Sequence, residues 1–138
     1  MGTRFEILPD KGVVYFKHDG YVSADESRRF LRAYREHPLY RAGQNVLVDF
    51  AEVADYERDW ARVIALQAEV ADNIYPIPQE LFLVLYAPNR LTQALAQVIA
   101  NSWDDVPNVV TRIAAREDEA LAILGLAETR FSDLLASV

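Results

Sequence analysis

Cysteine is absent from this sequence, and histidine occurs only at His18 and His37. The first absence excludes disulfides, thiolate metal ligands and a cysteine nucleophile. The two histidines do not stand in an HExxH or similar spacing, so no zinc motif can be written. We therefore expect neither histidine to bind a metal or to take part in catalysis.

The five glycines are isolated turn residues and do not form a ligand-binding loop. No GxGxxG, GxxxxGK(S/T) or GxSxG pattern occurs in the sequence. A phosphate-cradling loop and a hydrolase nucleophile elbow are therefore excluded. Because no catalytic constellation can be assembled, we predict a protein that is not an enzyme, with no catalytic residue, no cofactor and no metal.

Basic residues are also few, since 14 lysines and arginines stand against 21 acidic residues for a net charge of -7. Binding to phosphate backbones is driven by basic residues, so we expect no nucleic-acid partner. No apolar run approaches the ~20 residues that span a bilayer, and the first residues lack the apolar core of a secretory signal. We expect a cytoplasmic protein with no membrane span.

The sequence does contain a series of short apolar runs. Residues 44–50 and 81–86 are runs of the kind found in strands that are buried on both faces, and residues 109–115 form a third strand-like run. Residues 5–8 and 12–18 are joined by a Pro-Asp-Lys-Gly turn, which predicts a β-hairpin. The run at 44–50 is predicted to lie at the centre of a sheet.

Helical patterns separate these strands. Ser23 followed by Glu26 is a capping box, which predicts a helix over residues 23–37 that Pro38 ends. The remaining helices are predicted over residues 57–73 (ended by Pro76 and Pro78), 89–103 and 118–124, with a short amphipathic segment in 127–138. Strands that alternate with helices predict an α/β fold. We expect one domain over residues 1–138: a mainly parallel sheet of about five strands, with an antiparallel N-terminal edge strand and about four helices.

Apolar residues at helical spacing define the helix faces that we predict to pack on the sheet. For the first two helices they are Phe30, Leu31, Ala33 and Tyr34, and then Trp60, Val63, Ile64, Leu66, Val70 and Ile74. In the third helix the same spacing is followed by Leu91, Ala94, Leu95 and Val98, with the small residue Ser102 one turn later.

The hairpin, the helix opening Val22-Ser23-Ala24-Asp25-Glu26, the strand at 45–50 and the closing segment at 118–126 together resemble the bacterial SpoIIAA-like group. That group has the fold of STAS domains, the anti-sigma factor antagonists, and the resemblance covers residues 5–126. It implies a non-enzymatic regulatory module that acts through protein contacts, with an unidentified protein partner and as a homodimer. The shared motifs are hydrophobic patterns, which support a fold better than a function.

The sequence departs from this group at the phosphorylation switch. Switched antagonists carry an Asp-Ser-Ser/Thr-Gly motif after a strand that ends in aspartate, and phosphorylation of the serine breaks partner binding. The matching region here reads Asp55-Tyr56-Glu57-Arg58-Asp59-Trp60 and contains no serine or threonine. The resemblance therefore implies a module without this switch, or one in which the carboxylates of Glu57 and Asp59 permanently replace the charge of a phosphorylated serine.

Ligands of open α/β sheets bind at the carboxyl ends of the strands. By this rule the candidate rim for a ligand or partner consists of Asp49, Asp55, Tyr56, Tyr86 and Asn89. For Asp49 itself we favour a structural role, with its carboxylate capping the loop that follows. The acidic run is predicted to be a solvated loop rather than an oxygen-ligated metal site; it comprises Asp49, Glu52, Asp55, Glu57 and Asp59.

A basic stripe on the first helix could meet an acidic partner, although local ion pairs are favoured; it comprises Arg28, Arg29, Arg32 and Arg35.

Three functions follow from the sequence. The first is the protein-interaction module described above. The alternative is a small-ligand-binding protein that holds a lipid-like or apolar ligand in a pocket at the carboxyl ends of the central strands, near Asp49, Tyr56, Tyr86 and Asn89. A closed apolar cavity with convergent polar groups would distinguish this alternative. The third is a structural subunit that assembles through the tail, with Phe131, Leu134 and Leu135.

Overall fold

The computed structural model of the chain describes residues 2–73 and 80–136. The strands are β1 (Gly2–Leu8), β2 (Val13–Val22), β3 (Asn45–Tyr56), β4 (Leu81–Tyr86) and β5 (Val109–Ala114). The helices are α1 (Ala24–Glu36), α2 (Trp60–Asn73), α3 (Arg90–Ser102), α4 (Glu117–Ile123) and α5 (Phe131–Ala136). Within these ranges no helix combines the length and the apolar character that crossing a membrane requires.

The five strands form one sheet in the order β1-β2-β3-β4-β5. β1 pairs with β2 antiparallel, and every other neighbouring pair is parallel. The predicted α/β class, with a mainly parallel sheet and an antiparallel N-terminal edge strand, is therefore confirmed. The hairpin turns through a short 3-10 segment at Pro9–Lys11, and Gly12 follows it at φ +66°, a conformation that glycine adopts without strain.

The helices cover the two faces of the sheet unequally. Because each parallel strand is added beside the preceding one, crossovers of one hand carry α1, α2 and α3 over the same face. That face holds the larger core, in which Phe16, Val48 and Leu85 pack under these helices. The opposite face is covered by α4 and α5, which bring Leu121 and Leu134 onto Leu47 and Val84.

Local signals set the helix ends. The Ser23 side chain accepts a hydrogen bond from the Glu26 backbone N–H at 3.1 Å and begins α1, while the Glu26 carboxylate accepts from Thr3 on β1. Asn89 and Thr92 form a full capping box at the start of α3. α4 is followed by Gly125 at φ +74°, as expected for a helix that ends in the left-handed conformation.

The acidic segment at residues 52–57 is not the loop that we predicted, because β3 continues through it to Tyr56. β2 also runs on to Val22 and pairs with this extension. The register shifts between Lys17 and Asp19, and again between Gly20 and Tyr21, each time giving β3 one extra residue. Two bulges therefore allow this acidic segment to remain in the sheet. α2 consequently begins at Trp60 rather than at residue 57.

Three residues predicted on packed helix faces are exposed: Ala33, Ile64 and Ala94. Ile64 is 47 % exposed, because α2 buries only Val63, Leu66 and Val70, a stripe narrower than the sequence pattern. The predicted roles of Ile74, Pro76 and Pro78 at the end of α2 lie outside the described residues. The predicted tail helix is present as α5, with Phe131 and Leu134 buried.

Candidate functional site

Adjacent residues of the central strands face opposite sides of the sheet, as the period of a strand requires. Strand pairing places one lateral row on the side of α1–α3, which we name the apolar row: Phe5, Phe16, Val48 and Leu85. It places a second lateral row on the side of α4 and α5, which we name the charged row: Arg4, Lys17, Asp49 and Tyr86. A concave site lies against each row.

The apolar cavity lies between the apolar row and helices α1–α3, and its volume is about 90 Å³. Phe16, Val48 and Leu85 line it from the sheet. The helices contribute Phe30 and Leu31 from α1, Val70 from α2 and Ile99 from α3, together with Trp103 at the end of α3. Besides the indole N–H of Trp103, the polar side chains that line it are those of His18, Ser27 and Gln67, and none of these three is charged at neutral pH.

His18 is the most constrained polar group of the cavity. Its Nδ1 lies 2.7 Å from the Thr3 hydroxyl, which in turn lies 3.3 Å from a Glu26 carboxylate oxygen. Since a carboxylate can only accept, Thr3 donates to Glu26 and accepts from the His18 Nδ1–H, leaving Nε2 as the acceptor. Burial lowers the pKa of His18 from 6.5 to about 4, against a smaller opposing effect of Asp19. The imidazole is therefore neutral at physiological pH.

Gln67 is the second polar group and is fixed from the side of α3. Its Oε1 accepts a hydrogen bond from the indole N–H of Trp103 at 2.6 Å. This bond orients the amide so that its NH₂ group is the end left to donate. The cavity thus combines apolar walls with neutral acceptors and donors, a combination typical of small-molecule sites.

The polar cleft lies on the other face, where β2 and β3 extend past the ends of β4 and β5, and its volume is about 950 Å³. The charged row forms its floor. The segment after β5 and the tail form its rim; they contribute Arg116, Glu117, Asp118, Arg130 and Phe131. This is the cleft at the carboxyl ends of the parallel strands where the fold rule places ligands.

Asp49 is buried at the floor of the cleft, and both of its carboxylate oxygens are hydrogen-bonded. Oδ1 accepts from the Ala51 N–H at 2.9 Å, at the point where the first bulge interrupts the ladder, and Oδ2 accepts a short hydrogen bond from the Tyr15 hydroxyl. Burial, and then the hydrogen bond to Asp49, raise the pKa of Tyr15. The phenol therefore stays protonated and neutral. Asp49 satisfies the backbone of the bulge, where we had predicted a capped loop.

Phe131 of α5 closes the apolar side of the cleft. Its ring meets Tyr86 edge-on at 5.0 Å between centroids and Tyr15 at 5.7 Å. The Phe131 N–H donates to a Glu117 carboxylate oxygen at 2.7 Å, which ties the start of α5 to α4. Burial raises the pKa of Tyr86, with smaller contributions from Glu117 and Asp49. The cleft thus has an aromatic wall beside its charged floor.

Of the predicted rim, the structure brings together Asp49 and Tyr86, which pair directly across β3 and β4. Asp55, Tyr56 and Asn89 do not line the polar cleft. Asn89 caps α3, with its Oδ1 accepting from the Thr92 N–H at 2.9 Å.

Asp55 and Tyr56 belong instead to a cluster at the far end of β3. Asp55 pairs with Arg58 at 3.0 Å, and the Arg58 guanidinium lies over the Tyr56 ring at 4.3 Å. Tyr56 also packs on Trp60 at 5.7 Å between centroids. These contacts are those of a structural strand end, so the two residues join neither concave site.

Sequence reasoning missed Arg4, Tyr15 and Lys17 in the cleft, and His18 in the cavity. The alternation Tyr15, Phe16, Lys17, His18 carries a signal, because it separates two faces of β2. Only the pairing with β1 and β3 shows which residues become their neighbours.

The carboxylates of the acidic run do not converge. Glu57 accepts from the Ala24 N–H at 3.0 Å and lies 3.6 Å from Arg62, while Asp59 accepts from the Arg62 N–H. Within residues 2–73 and 80–136 no group of three or more potential ligands is arranged for a metal. In the basic stripe, Arg28 pairs with Asp25 one turn earlier on α1 and with Glu69 on α2, so the predicted local pairing is seen at Arg28 only among the described residues.

No protein-family model matches the chain, and no curated protein shows significant sequence similarity to it.

Proposed function

We propose that this chain is a non-enzymatic small-ligand-binding domain that holds an apolar ligand in the apolar cavity. The observation that supports this function is that the cavity between the apolar row and helices α1–α3 has apolar walls and contains only neutral polar groups. At ~24 cal/mol per Å³ of cavity volume, filling about 90 Å³ corresponds to about 2 kcal/mol. A ligand that fills the cavity recovers part of this free energy.

The polar groups define the chemistry of the ligand. His18 Nε2 is an acceptor and the Gln67 amide is a donor, so a hydroxyl group matches both. A charged head group does not match, because none of the lining residues carries an opposite charge and an unpaired charge is expensive to bury. The ligand class is therefore a neutral aliphatic molecule with one hydroxyl group, such as a short alcohol or the end of a lipid chain.

The SpoIIAA-like assignment is part of this proposal. The order of a hairpin followed by alternating helices and strands supports it at the level of the α/β class. It would make the chain a bacterial cytoplasmic domain without the serine switch.

The experiment is a thermal-denaturation series with straight-chain alcohols from butanol to decanol. Binding to the native state alone raises the Tm as ligand concentration increases. We expect a saturable rise in Tm that grows with chain length until the cavity is full. Val48→Phe fills the cavity and should abolish the rise. Val84→Phe, on the other face of the neighbouring strand, is the matched control and should retain it.

Native mass spectrometry of the chain purified from its own host identifies the natural ligand. A reproducible additional mass that Val48→Phe removes would support the proposal. The proposal is wrong if no alcohol changes the Tm and no bound molecule accompanies the purified chain.

A second candidate, the protein-interaction module, is favoured by the outer part of the basic stripe. Arg29, Arg32 and Arg35 are exposed, and they have no ion-pair partner among the described residues. In a chain of net charge -7, such a group suits an acidic protein surface, including that of a second copy. Analytical ultracentrifugation of the Arg32→Glu/Arg35→Glu variant tests a homodimer, with Arg112→Glu as the control. A wild-type chain that stays monomeric at every concentration contradicts self-association.

A further inference from the structure

We propose that the polar cleft is a second binding site, for a small organic anion whose carboxylate or phosphate group is held by Arg4, Lys17 and Arg130. The site lies on the opposite face of the sheet from the apolar cavity. It does not rest on the function proposed above, and its ligand belongs to a different chemical class.

Of the four carboxylates that line the cleft, all except Glu52 have close protein partners. Asp49 accepts from Tyr15 and from the Ala51 N–H. Glu117 accepts from the Phe131 N–H, and Asp118 pairs with Arg116. These groups still carry negative charge, but their oxygens are directed to donors within the protein.

The cations have fewer partners. Arg4 and Arg130 have no ion pair among residues 2–73 and 80–136, although both line the cleft. Lys17 lies 3.9 Å from Glu52, whose side chain is 63 % exposed, so this pair is loose. Arg4 and Lys17 are neighbours in the charged row, and Arg130 reaches the same cleft from the tail. Three incompletely paired cations therefore face one cleft of an acidic protein.

The dimensions and walls favour an organic anion over an inorganic one. The cleft encloses about 950 Å³, whereas metabolite-sized ligands occupy roughly 300–1,000 Å³. Guanidinium groups bind carboxylate or phosphate through parallel hydrogen bonds. Tyr86, Phe131 and Leu135 form a wall against which the body of the ligand can pack. In the described structure the Tyr86 hydroxyl has no hydrogen-bond partner and can donate to the ligand.

The test is isothermal titration of the whole chain with four probes: phenyl phosphate, benzoate, inorganic phosphate and neutral phenol. We expect saturable binding of phenyl phosphate or benzoate, weaker binding of inorganic phosphate and none of phenol. Arg4→Gln and Arg130→Gln should each weaken binding about tenfold or more, as expected when a charged hydrogen bond is lost. Arg112→Gln, at an exposed arginine outside the cleft, is the matched control.

The stronger of the two organic probes identifies the head group as phosphate or carboxylate. Tyr86→Phe gives a second measurement, since it removes only the hydroxyl and should weaken binding of the better probe by a few-fold. Saturable binding that survives Arg112→Gln and fails in Arg130→Gln supports the site. The proposal is overturned if no anion binds saturably, or if all three arginine variants behave alike. Because the apolar cavity is unchanged in these variants, the alcohol titration reports separately on the first proposal.

Discussion

The apolar row and the charged row differ by one residue along the same strands, yet they meet opposite surroundings. Val48 packs under three helices in the larger core, whereas Asp49 lies at the floor of an open cleft whose apolar side is closed by Phe131. The side that α1–α3 cover is closed because every crossover passes over it, and the other side receives only two short helices. The connectivity of the chain thus decides which row can be polar.

The largest effect is expected when a charge is moved onto the apolar row. Val48→Asp places a carboxylate under α1–α3, where no cation lines the cavity. Such a substitution should cost more than about 4 kcal/mol of unfolding free energy and prevent stable folding. Circular dichroism and urea denaturation measure this loss. If Val48→Asp unfolded at the same urea concentration as wild type, water would reach the side covered by α1–α3, and the contrast between the two rows would be wrong.

A smaller effect is expected from breaking the Tyr15–Asp49 pair on the charged row. Tyr15→Phe leaves a buried carboxylate oxygen without its donor, which should cost roughly 1–3 kcal/mol. Asp49→Asn retains an acceptor and should cost less. The two single variants and the double variant form a cycle, and urea denaturation should give a coupling of about 1–3 kcal/mol. Additive effects would show that the pair does not act as a unit.

The dependence of the unfolding free energy on pH should report the protonation of His18. Its pKa is lowered from 6.5 to about 4 in the folded state, so the unfolded chain binds more protons between these values. The contribution of neutral His18 is complete above pH 6.5 and is lost as the pH falls toward 4. At ~1.4 kcal/mol per pKa unit, the loss amounts to about 3 kcal/mol. His18→Gln should flatten this part of the stability curve, and His37→Gln serves as the control. An equal effect of both variants would contradict the assignment.

The smallest effect on stability is expected at Lys17. Its pair with Glu52 is long and exposed on the glutamate side, so Lys17→Gln should change the unfolding free energy by no more than about 1 kcal/mol. The same variant should nevertheless weaken binding of phenyl phosphate or benzoate. A variant that loses stability but keeps its affinity would assign Lys17 to the fold alone.

The order of strands and helices could be predicted because it depends on periodicity within short segments. The runs at 81–86 and 109–115 correspond to β4 and β5 almost residue for residue. The extension of β3 could not be predicted, because Glu52 and Asp55 interrupt the apolar pattern and the segment stays in the sheet through two bulges and pairing with β2. Pairing between distant segments leaves no local pattern in a single sequence.

The residues of the predicted rim lie at different levels of the sheet for a related reason. The prediction assumed that the central strands end at the same level, but Tyr86 ends β4 beside Asp49 while β3 continues to Tyr56. Residues of a strand rise by about 3.3 Å each, so Tyr56 lies on the order of 20 Å from Asp49. Asp49 and Tyr86 are therefore neighbours, whereas Tyr56 lies farther along β3, at its carboxyl end.

The sequential strand order also bears on how the chain folds during synthesis. Each strand pairs with the one that precedes it in the chain, so every new strand meets an edge that has already left the ribosome. Contacts between near neighbours in sequence favour fast folding, and domains generally begin to fold from the N-terminus as they are made. The layer of α4 and α5 comes from the last quarter of the chain. The side of α1–α3 can therefore be enclosed before Phe131 emerges, and the cleft on the other side is completed last.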